Sequence, residues 1–333
     1  MKNPLRLFIC AMMVCTAMAQ ESSAPHISNT YPPADDVRRP DLTISEGVSK
    51  ASAVIAYNPN GRFLAAAGQD NLIRLYDARP RDRLTADLTQ TLTGHISVIL
   101  AIGFNGTNTL VSVSVDQTAK SWDIVSGKLL HSVELNFGKQ LVPAIAPGNQ
   151  PLLAGGTLRQ VRLWNYQTGE LLKSFEANDS NVAALAFTPD GKLLVIGTTK
   201  GVVRVMDVRA WKVTRMIDLD TPVYSLAASM SRVAVGYGDG TIALLNLDGE
   251  QISVPEVKKQ TGKINALAFD GKGGRFASAS ADGTVKVWNT ETLKLFSSLE
   301  GQSNEVLSIV FNLTGQRVAS GGADGRIQCW TLP

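Results

Sequence analysis

The amino-acid sequence predicts an all-β protein, specifically a seven-bladed β-propeller of four-stranded antiparallel blades. Three observations predict this fold. A motif recurs seven times at intervals of 39 to 46 residues, each repeat consists of short alternating apolar strands, and Gly, Asn, Asp and Pro separate those strands. A repeat of this length that contains several short strands is typical of propellers, in which each repeat forms one blade. Such a scaffold favours a binding function over a catalytic one.

The recurring motif is a strand that ends in an aromatic or large residue followed by Asp, Asn or Thr. The pairs are Tyr76-Asp77, Trp122-Asp123, Trp164-Asn165, Met206-Asp207, Leu245-Asn246, Trp288-Asn289 and Trp330-Thr331. One such pair carries little information, because a chain of this length contains it by chance. Their regular spacing is what indicates a repeat.

The sixth repeat shows the predicted unit most clearly. Its strands are expected over 264–269, 276–280, 284–288 and 293–299, with turns of Gly, Asp and Lys between them. Alternating strands of this length separated by turn residues form small antiparallel sheets. Helical spacing of apolar residues is absent from the repeats.

Two segments of a different kind precede the repeats. The basic residues Lys2 and Arg6 precede an uncharged, largely apolar run from Leu7 to Ala19. This run ends in the small-x-small site Ala17-Met18-Ala19, so residues 1–19 are predicted to be a signal peptide. The run is shorter than the roughly 20 residues that span a bilayer. Residues 20–40 are polar and rich in proline and are predicted to be a flexible linker, and residues 41–333 form the propeller.

Composition limits the range of partners. The chain has a formal net charge of +3, and two of its basic residues lie in the predicted signal peptide, so the remainder is nearly neutral. This balance predicts no long-range attraction to nucleic acid or anionic lipid.

Of the three cysteines only Cys329 lies beyond residue 19, so no internal disulfide is expected. We expect an exported protein, periplasmic in a Gram-negative bacterium and otherwise secreted, without stable membrane insertion.

These residues resemble the WD-repeat family over about residues 41–333. The family has a turn Asp six residues before the Trp, and the matching residues here are Asp70, Asp116, Asp239, Asp282 and Asp324. The third and fourth repeats depart from the pattern with Leu158 and Lys200. The Gly-His dipeptide of the family occurs once, as Gly94-His95. The resemblance therefore implies a complete side-chain hydrogen-bond network only in the second repeat, formed by His95, Ser112, Asp116 and Trp122.

The resemblance also implies how the ring closes. The chain ends three residues after Trp330, which leaves no sequence for a fourth strand in the last repeat. An unpaired outer edge would promote aggregation. Members of the family supply the missing strand from the N-terminus, and residues 41–45 have the required alternation. We therefore expect residues 41–45 to complete the seventh blade.

For function, the resemblance implies a monomeric, non-catalytic scaffold that binds other proteins or peptides on the face that carries the turn Asp residues. Loop positions on this face and between blades are the candidates for binding. They are Lys139, Asp179, Asn181, Asp220, Tyr224, Lys263, Asn265, Asn304 and Glu305. No nucleic-acid partner is expected.

The sequence predicts no catalytic residue, metal site or cofactor. The three histidines do not have the spacing of metal ligands, and no glycine-rich phosphate loop opens a helix. Two alternatives remain open. One is a propeller hydrolase or oxidoreductase with a site in the central channel, and the other is an envelope-assembly factor that works with outer-membrane proteins.

Overall fold

The computed structural model describes residues 36–45, 54–79, 86–138, 141–148, 150–177, 180–247, 251–253 and 260–333. The predicted signal peptide and all of the predicted linker before residue 36 lie outside these residues. Twenty-nine strands and no helix occur in the part that is described. None of these residues therefore forms a helix that could cross a membrane.

The strands are short and follow one another along the whole propeller. Their bounds are β1 (Val37–Arg38), β2 (Leu42–Ile44), β3 (Val54–Tyr57), β4 (Phe63–Ala67), β5 (Ile73–Asp77), β6 (Asp87–Leu92), β7 (Ile99–Asn105), β8 (Thr109–Ser114), β9 (Thr118–Asp123), β10 (Leu129–Glu134), β11 (Val142–Ile145), β12 (Leu152–Gly156), β13 (Gln160–Asn165), β14 (Leu171–Glu176), β15 (Val182–Phe187), β16 (Leu193–Thr198), β17 (Val202–Asp207), β18 (Lys212–Asp218), β19 (Val223–Ala228), β20 (Arg232–Tyr237), β21 (Ile242–Asn246), β22 (Gln251–Ser253), β23 (Ile264–Phe269), β24 (Arg275–Ser280), β25 (Val285–Asn289), β26 (Leu295–Leu299), β27 (Val306–Phe311), β28 (Arg317–Gly322) and β29 (Ile327–Thr331).

These strands form seven sheets. Strands β3 to β26 make blades one to six in consecutive groups of four, and β27 to β29 make blade seven together with β2. All pairs inside these four-stranded units are antiparallel. The first strands of successive blades contact one another all the way round, including β27 with β3. The predicted seven-bladed propeller is confirmed.

The core lies between blades rather than inside one of them. Seven clusters of buried apolar residues each join two neighbouring blades, and each cluster contains one motif residue of the later blade. In order around the ring these are Tyr76, Trp122, Trp164, Met206, Leu245, Trp288 and Trp330. The motif residue of each repeat therefore packs against the preceding blade, which makes every blade depend on its neighbours.

The N-terminal strand β2 closes the ring as predicted. It pairs antiparallel with β29, with Leu42 opposite Cys329 and Ile44 opposite Ile327. Both apolar side chains of β2 are buried in the cluster shared by blades seven and one. The Asp41 backbone N–H donates to the Cys329 carbonyl at 2.9 Å. Strand β2 thus completes blade seven and helps to bury its contact with blade one.

A fifth strand on blade six was not predicted. Strand β1 lies within the interval 20–40 that was expected to be a flexible linker, and it pairs parallel with β26. The backbone N–H groups of Ser298 and Glu300 donate to the carbonyls of Asp36 and Arg38, both at 2.9 Å. Because these bonds use backbone groups, a polar segment without apolar alternation can form them. The composition of residues 20–40 therefore did not reveal the strand.

Arginines join adjacent blades at the end where the first and second strands of each blade are connected. Arg232, Arg275 and Arg317 begin the second strands of blades five, six and seven. Each donates to a carbonyl of the following blade, at Thr290, Gly315 and Ala78 respectively, with a distance of 2.8 Å for Arg275. These bonds join blades five, six, seven and one in succession, on the side opposite the turn Asp residues.

Closure by β2 gives a prediction for truncated chains. A chain that begins at Asp41 loses only β1, at a cost of about 2 kcal/mol for two backbone hydrogen bonds at about 1 kcal/mol each. A chain that begins at residue 47 also loses the burial of Leu42 and Ile44, at about 1.5–3 kcal/mol each, and exposes the edge of β29. We expect the shorter chain to unfold at lower urea concentration and to associate, measured by urea titration and light scattering. Equal unfolding midpoints for the two chains would contradict closure by β2.

Candidate interaction face and the network beneath it

We define the upper face as the end of the propeller that carries the turns between the second and third strands of each blade. Because the strands are antiparallel, the loops from each blade to the next lie at this same end. The lower face is the opposite end. Most of the sequence-predicted partner-binding residues belong to the upper face by this definition.

The turn Asp residues close the turns of the upper face. Each accepts a hydrogen bond from the backbone N–H two residues later, a pattern in which the side chain imitates a backbone turn. The acceptors are Asp70, Asp116, Asp239, Asp282 and Asp324, with distances of 3.3, 2.9, 2.9, 2.9 and 3.0 Å. The spacing of Asp in the sequence therefore reflects the geometry of these turns.

In blade two the turn Asp is part of a buried chain of side-chain hydrogen bonds. Asp116 Oδ2 lies 2.8 Å from His95 Nδ1, and His95 Nε2 lies 2.8 Å from Ser112 Oγ. Trp122 Nε1 donates to the same Ser112 oxygen at 2.9 Å. The structure thus brings together the four residues that the sequence assigned to this network. It links the upper face to the packing between blades one and two.

The order Ser, His and Asp resembles that of a hydrolytic triad, but the geometry makes it structural. Ser112 is fully buried, with an exposed fraction of 0%. Its oxygen already accepts a hydrogen bond from Trp122, so it is not presented to a substrate. The arrangement orients the loop before blade two rather than a nucleophile.

Burial determines the protonation of this network. Burial lowers the pKa of His95 below its usual value, and the nearby Lys120 charge acts in the same direction, while Asp116 opposes the shift. Burial would raise the pKa of Asp116, but hydrogen bonds from Thr118, His95 and the Ile96 backbone outweigh it and lower that pKa. The network is therefore built around a neutral imidazole and an ionised carboxylate.

Blade six contains an equivalent network with glutamine in place of histidine. The Ser278 hydroxyl donates to Gln260 Oε1 at 2.6 Å, and Trp288 Nε1 donates to Ser278 Oγ at 3.0 Å. Asp282 accepts the Thr261 backbone N–H at 2.7 Å. The expectation of one complete network in blade two did not allow for this substitution. The signal was a Gln at the position where the second repeat has His95.

Blade seven continues this variation. Gln302 Nε2 donates to Ser320 Oγ at 2.7 Å, and the Ser303 hydroxyl donates to Asp324 Oδ2 at 2.7 Å. Here Trp330 Nε1 donates instead to the Glu300 carbonyl at 3.3 Å. The network therefore differs among blades two, six and seven, and of these three networks, as far as the structure describes them, the one in blade two contains an imidazole.

A β-bulge recurs at the upper end of the central strands. In five blades the second residue of the first strand has no partner in the register of the second strand. These residues are Leu100, Ala183, Tyr224, Asn265 and Leu307. Bulges redirect side chains and are frequent at rims and functional sites. Two of the predicted binding residues, Tyr224 and Asn265, occupy this position.

The structure joins four predicted binding residues across blades five, six and seven. Lys263 Nζ lies 5.8 Å from the centroid of the Tyr224 ring. Asn265 Nδ2 donates to Glu305 Oε1 at 2.9 Å and to the Val306 carbonyl at 2.8 Å. We call Tyr224, Lys263, Asn265 and Glu305 the polar strip.

The remaining predicted binding residues lie apart from these contacts. Asn304 precedes Glu305 and accepts its backbone N–H through Oδ1 at 2.8 Å. Asp220 is exposed in the loop before blade five with a φ of 54°, and Asn181 lies in the loop before blade four. Lys139 and Asp179 lie outside the described residues. The candidate binding residues that the sequence placed on one face therefore lie on several different blades.

Two exposed apolar residues of the upper face were missed. Ile96 is 84% exposed in the loop before blade two, and Leu158 is 56% exposed in the turn of blade three, at the position where five other blades have Asp. The Ile96 backbone N–H donates to Asp116 Oδ2 at 3.1 Å, so the network holds this loop in place. The available signal was an apolar residue directly after the Gly-His pair.

Other chemistry-bearing residues are buried or dispersed. Tyr57 Oη donates to Cys329 Sγ at 3.6 Å, and burial raises the pKa of this thiol to about 11. The residues that the structure describes contain no group of three or more His, Cys, Asp or Glu side chains able to hold a metal ion.

Comparisons with known proteins agree with this architecture. A family described as "WD domain, G-beta repeat" matches residues 48–77 and 86–123, and one described as "Nucleolar protein 10-like, N-terminal domain" matches residues 137–321. Residues 86–123 include the whole hydrogen-bond network of blade two. The two matches together reach all seven blades, the second ending within β28 of blade seven.

Curated relatives match shorter segments. The CCR4-associated factor 4 homolog of Candida glabrata is 33% identical over 106 residues, which cover 28% of this chain and 18% of that protein. The guanine nucleotide-binding protein subunit beta-1 of Caenorhabditis briggsae is 27% identical over 100 residues, covering 30% of this chain and 29% of that protein. The chain therefore spans less than a third of the length of these relatives.

The blades, their motif residues and the turn network define a WD-repeat β-propeller, a class that serves protein interaction. The match over residues 137–321 covers more than half of the chain. The chain belongs to the family described as Nucleolar protein 10-like, N-terminal domain. The word "nucleolar" is part of the family's name and does not describe the location of this chain.

The network contains His95 in blade two and Gln260 in blade six, and this difference predicts that the stability of the protein depends on pH through His95. Burial in the folded protein lowers the pKa of His95 below its value of about 6.5 in the unfolded chain. The contribution of neutral His95 to the free energy of unfolding is therefore complete above a pH of about 6.5. This contribution is lost as the pH falls through the lowered pKa of the folded state. We expect His95→Gln, which copies blade six, to remove this dependence. Urea unfolding at a pH of about 7.5 and about 5 measures the difference between the two proteins.

The control for this prediction is His95→Ala. This change leaves Ser112 and Asp116 without their ring partner and should cost about 1–3 kcal/mol at the higher pH. If the wild-type protein and the Gln variant lose equal stability on acidification, His95 is not the group that titrates.

Proposed function

We propose that this protein is an exported, non-catalytic scaffold that binds another protein on its upper face. The observation that carries the proposal is Ile96, an apolar side chain with an exposed fraction of 84% in a loop whose backbone is anchored to Asp116. An apolar anchor that is held in position before binding loses little conformational freedom in the complex. Ile96 thus has the properties of a residue at the centre of an interface.

Other groups of the upper face would form the rest of the interface. Leu158 is a second exposed apolar side chain, on blade three, and the polar strip lies on blades five to seven of the same face. Tyr224 and Lys263 offer an aromatic ring and a cation, and both are half-buried. Interfaces combine an apolar centre with a polar rim that fixes orientation. A partner that spans the channel mouth would contact both parts.

Export is the part of the proposal that rests on sequence alone. Lys2, Arg6 and the apolar run to Ala19 have the order of a signal peptide. The mature protein would then begin at Gln20 and act in the periplasm of a Gram-negative bacterium or outside a cell. We further propose that it acts as a monomer and without nucleic acid.

The two alternatives are not favoured. The match to the family described as "WD domain, G-beta repeat" and the similarity to a guanine nucleotide-binding protein beta subunit support a scaffold over a channel enzyme. No described contact favours an envelope-assembly factor over another protein-binding role.

The interaction face is tested by Ile96→Asp, with Met230→Asp as the matched control. Met230 is also an exposed apolar residue, at 54%, but it lies in the lower-face turn between β19 and β20. Loss of a central anchor costs 2 kcal/mol or more, which is roughly 30-fold in affinity. We expect affinity capture from the native host, quantified by mass spectrometry, to lose its partner with the upper-face variant only.

Equal melting temperatures of the two variants would show that both are folded. Retention of every captured protein by Ile96→Asp and Lys263→Glu would show that the upper face is not the binding surface.

Export has an independent test. The intact mass of the protein purified from its native host should correspond to a chain that begins at Gln20. A chain that retains residues 1–19 would contradict processing and would leave the scaffold proposal untouched.

A further inference from the structure

We propose that the loop before blade two, residues 94–97, is a pH-sensitive switch that opens when His95 is protonated and removes Ile96 from its position on the upper face. The loop is closed in this structure, with Ile96 exposed and its backbone bonded to Asp116. The consequence for a partner rests on the binding face proposed above, because Ile96 is the anchor of that face. The opening of the loop itself does not depend on a partner.

The loop is held to blade two through the buried network. In the part of the chain that the structure describes, the hydrogen bonds of residues 94–96 run to Ser112, Asp116 and Thr118. Asp116 Oδ2 contacts both His95 Nδ1, at 2.8 Å, and the Ile96 backbone N–H, at 3.1 Å. One carboxylate oxygen therefore holds the titratable ring and the backbone of the anchor together.

The loop lies between two fixed ends and contains a glycine. Strand β6 ends at the buried Leu92, and on the other side the Ser114 hydroxyl donates to the Ser97 carbonyl at 3.0 Å. Gly94 has a φ of 151°, a conformation that favours glycine, and a Cβ there would lie 3.1 Å from the Trp122 ring. Gly94 thus lets the loop close over Trp122, and it is the residue about which the loop can open while both strands stay in place.

The closed loop accommodates a neutral imidazole. The ionised Asp116 carboxylate can only accept, so His95 Nδ1 carries the proton of that bond. His95 Nε2 therefore accepts the Ser112 hydroxyl at 2.8 Å, and the Ser112 oxygen accepts Trp122 Nε1–H at 2.9 Å. Both ring nitrogens have a partner in this state.

A proton on Nε2 disrupts this arrangement. The new N–H and the Ser112 hydroxyl would point at each other, so the hydroxyl must turn to the Lys120 carbonyl, 3.4 Å away. The His95 side chain has an exposed fraction of 0%, so its positive charge cannot be hydrated while the loop is closed. The described charged groups that act on the ring are Asp116 in the turn between β8 and β9, which stabilises the charge, and Lys120 on β9, which opposes it. Opening the loop hydrates the charge and frees the hydroxyl.

Proton binding therefore favours the open loop. Burial lowers the pKa of His95 in the closed loop, whereas a hydrated ring in the open loop has a pKa of about 6.5. The preference for the closed loop is complete above a pH of about 6.5. Below this pH it falls about tenfold per pH unit until the lowered pKa of the closed loop is reached.

Blade six has the corresponding loop without a titratable ring. There Gln260 replaces the histidine, and the Thr261 backbone N–H donates to Asp282 Oδ2 at 2.7 Å, as the Ile96 N–H does to Asp116. Burial is outweighed by hydrogen bonds that lower the pKa of Asp282, as it is for Asp116, so both carboxylates stay ionised at a pH of about 5. The Thr261 amide is therefore an internal reference for the Ile96 amide.

Hydrogen exchange of the full chain tests the switch. We expect the protection factor of the Ile96 amide to fall at least about threefold between a pH of about 7.5 and about 5, while that of the Thr261 amide stays constant. At the lower pH the Ile96 amide should also exchange faster than the amides of β7. An equal change at Ile96 and Thr261 overturns the proposal. Equal protection of Ile96 and β7 would indicate opening of the whole blade and overturns it as well.

Two histidine variants identify the group that titrates. His95→Gln copies blade six and should remove the acid sensitivity of the Ile96 amide. His131→Gln is the matched control, because His131 is exposed on β10 and is the other histidine in the described part of the chain, and it should leave that sensitivity in place. Persistence of the effect in His95→Gln contradicts the proposal. The comparison of Ile96 with Thr261 in the wild-type chain remains decisive if the variant does not fold.

The effect on binding is measured separately. Proteins from the native host are captured on the immobilised chain at a pH of about 7.5 and washed at a pH of about 5. Those that Ile96→Asp fails to capture should be released at least about threefold more from the wild-type chain than from His95→Gln. Equal release from the two chains overturns regulation of binding by His95. Capture of every protein by Ile96→Asp at the higher pH would refute the binding face instead, and the exchange experiment would still decide whether the loop opens.

Discussion

Closure of the ring by β2 is the interaction on which the rest of the structure depends. Each blade buries its motif residue against the blade before it, so the stability of each blade depends on its two neighbours. Leu42 and Ile44 complete blade seven and enter the cluster that it shares with blade one. A short strand from the start of the propeller thereby connects the two ends of the apolar packing.

The ring holds the loops of its upper face in fixed positions. In blade two the network from Trp122 through Ser112 and His95 to Asp116 connects the core with the backbone of Ile96. Blade six reaches the same geometry with Gln260, which carries no titratable proton. The blades thus share one architectural requirement, the orientation of a loop, and meet it with different side chains. Among the described blades, blade two is therefore the one in which protonation of an imidazole, that of His95, can affect the position of the loop before the blade.

Much of the fold and part of the candidate site were predictable because their signals are local in sequence. The motif residues recur at the same position of every repeat and the turn Asp residues act within one repeat, so the spacing of both sets could be recognised in the sequence. Other features depend on partners far away along the chain. Residues 36–38 form a strand because Ser298 and Glu300 offer free N–H groups. The polar strip exists because Asn265 and Glu305 come from adjacent blades. Ile96 stood out only once its exposure and its anchoring to Asp116 were known.

By itself the sequence determined that this protein is a seven-bladed propeller, since the period and the strand alternation recur in every repeat and the turn Asp in five of them. The resemblance of its residues to the WD-repeat family also implied which side chains form the network of blade two. Only the tertiary structure decided which loop residues meet, which apolar residues remain exposed and which sheet edge accepts another strand. Those properties arise from contacts between blades, and the free energy of such contacts depends on distances that no local pattern encodes.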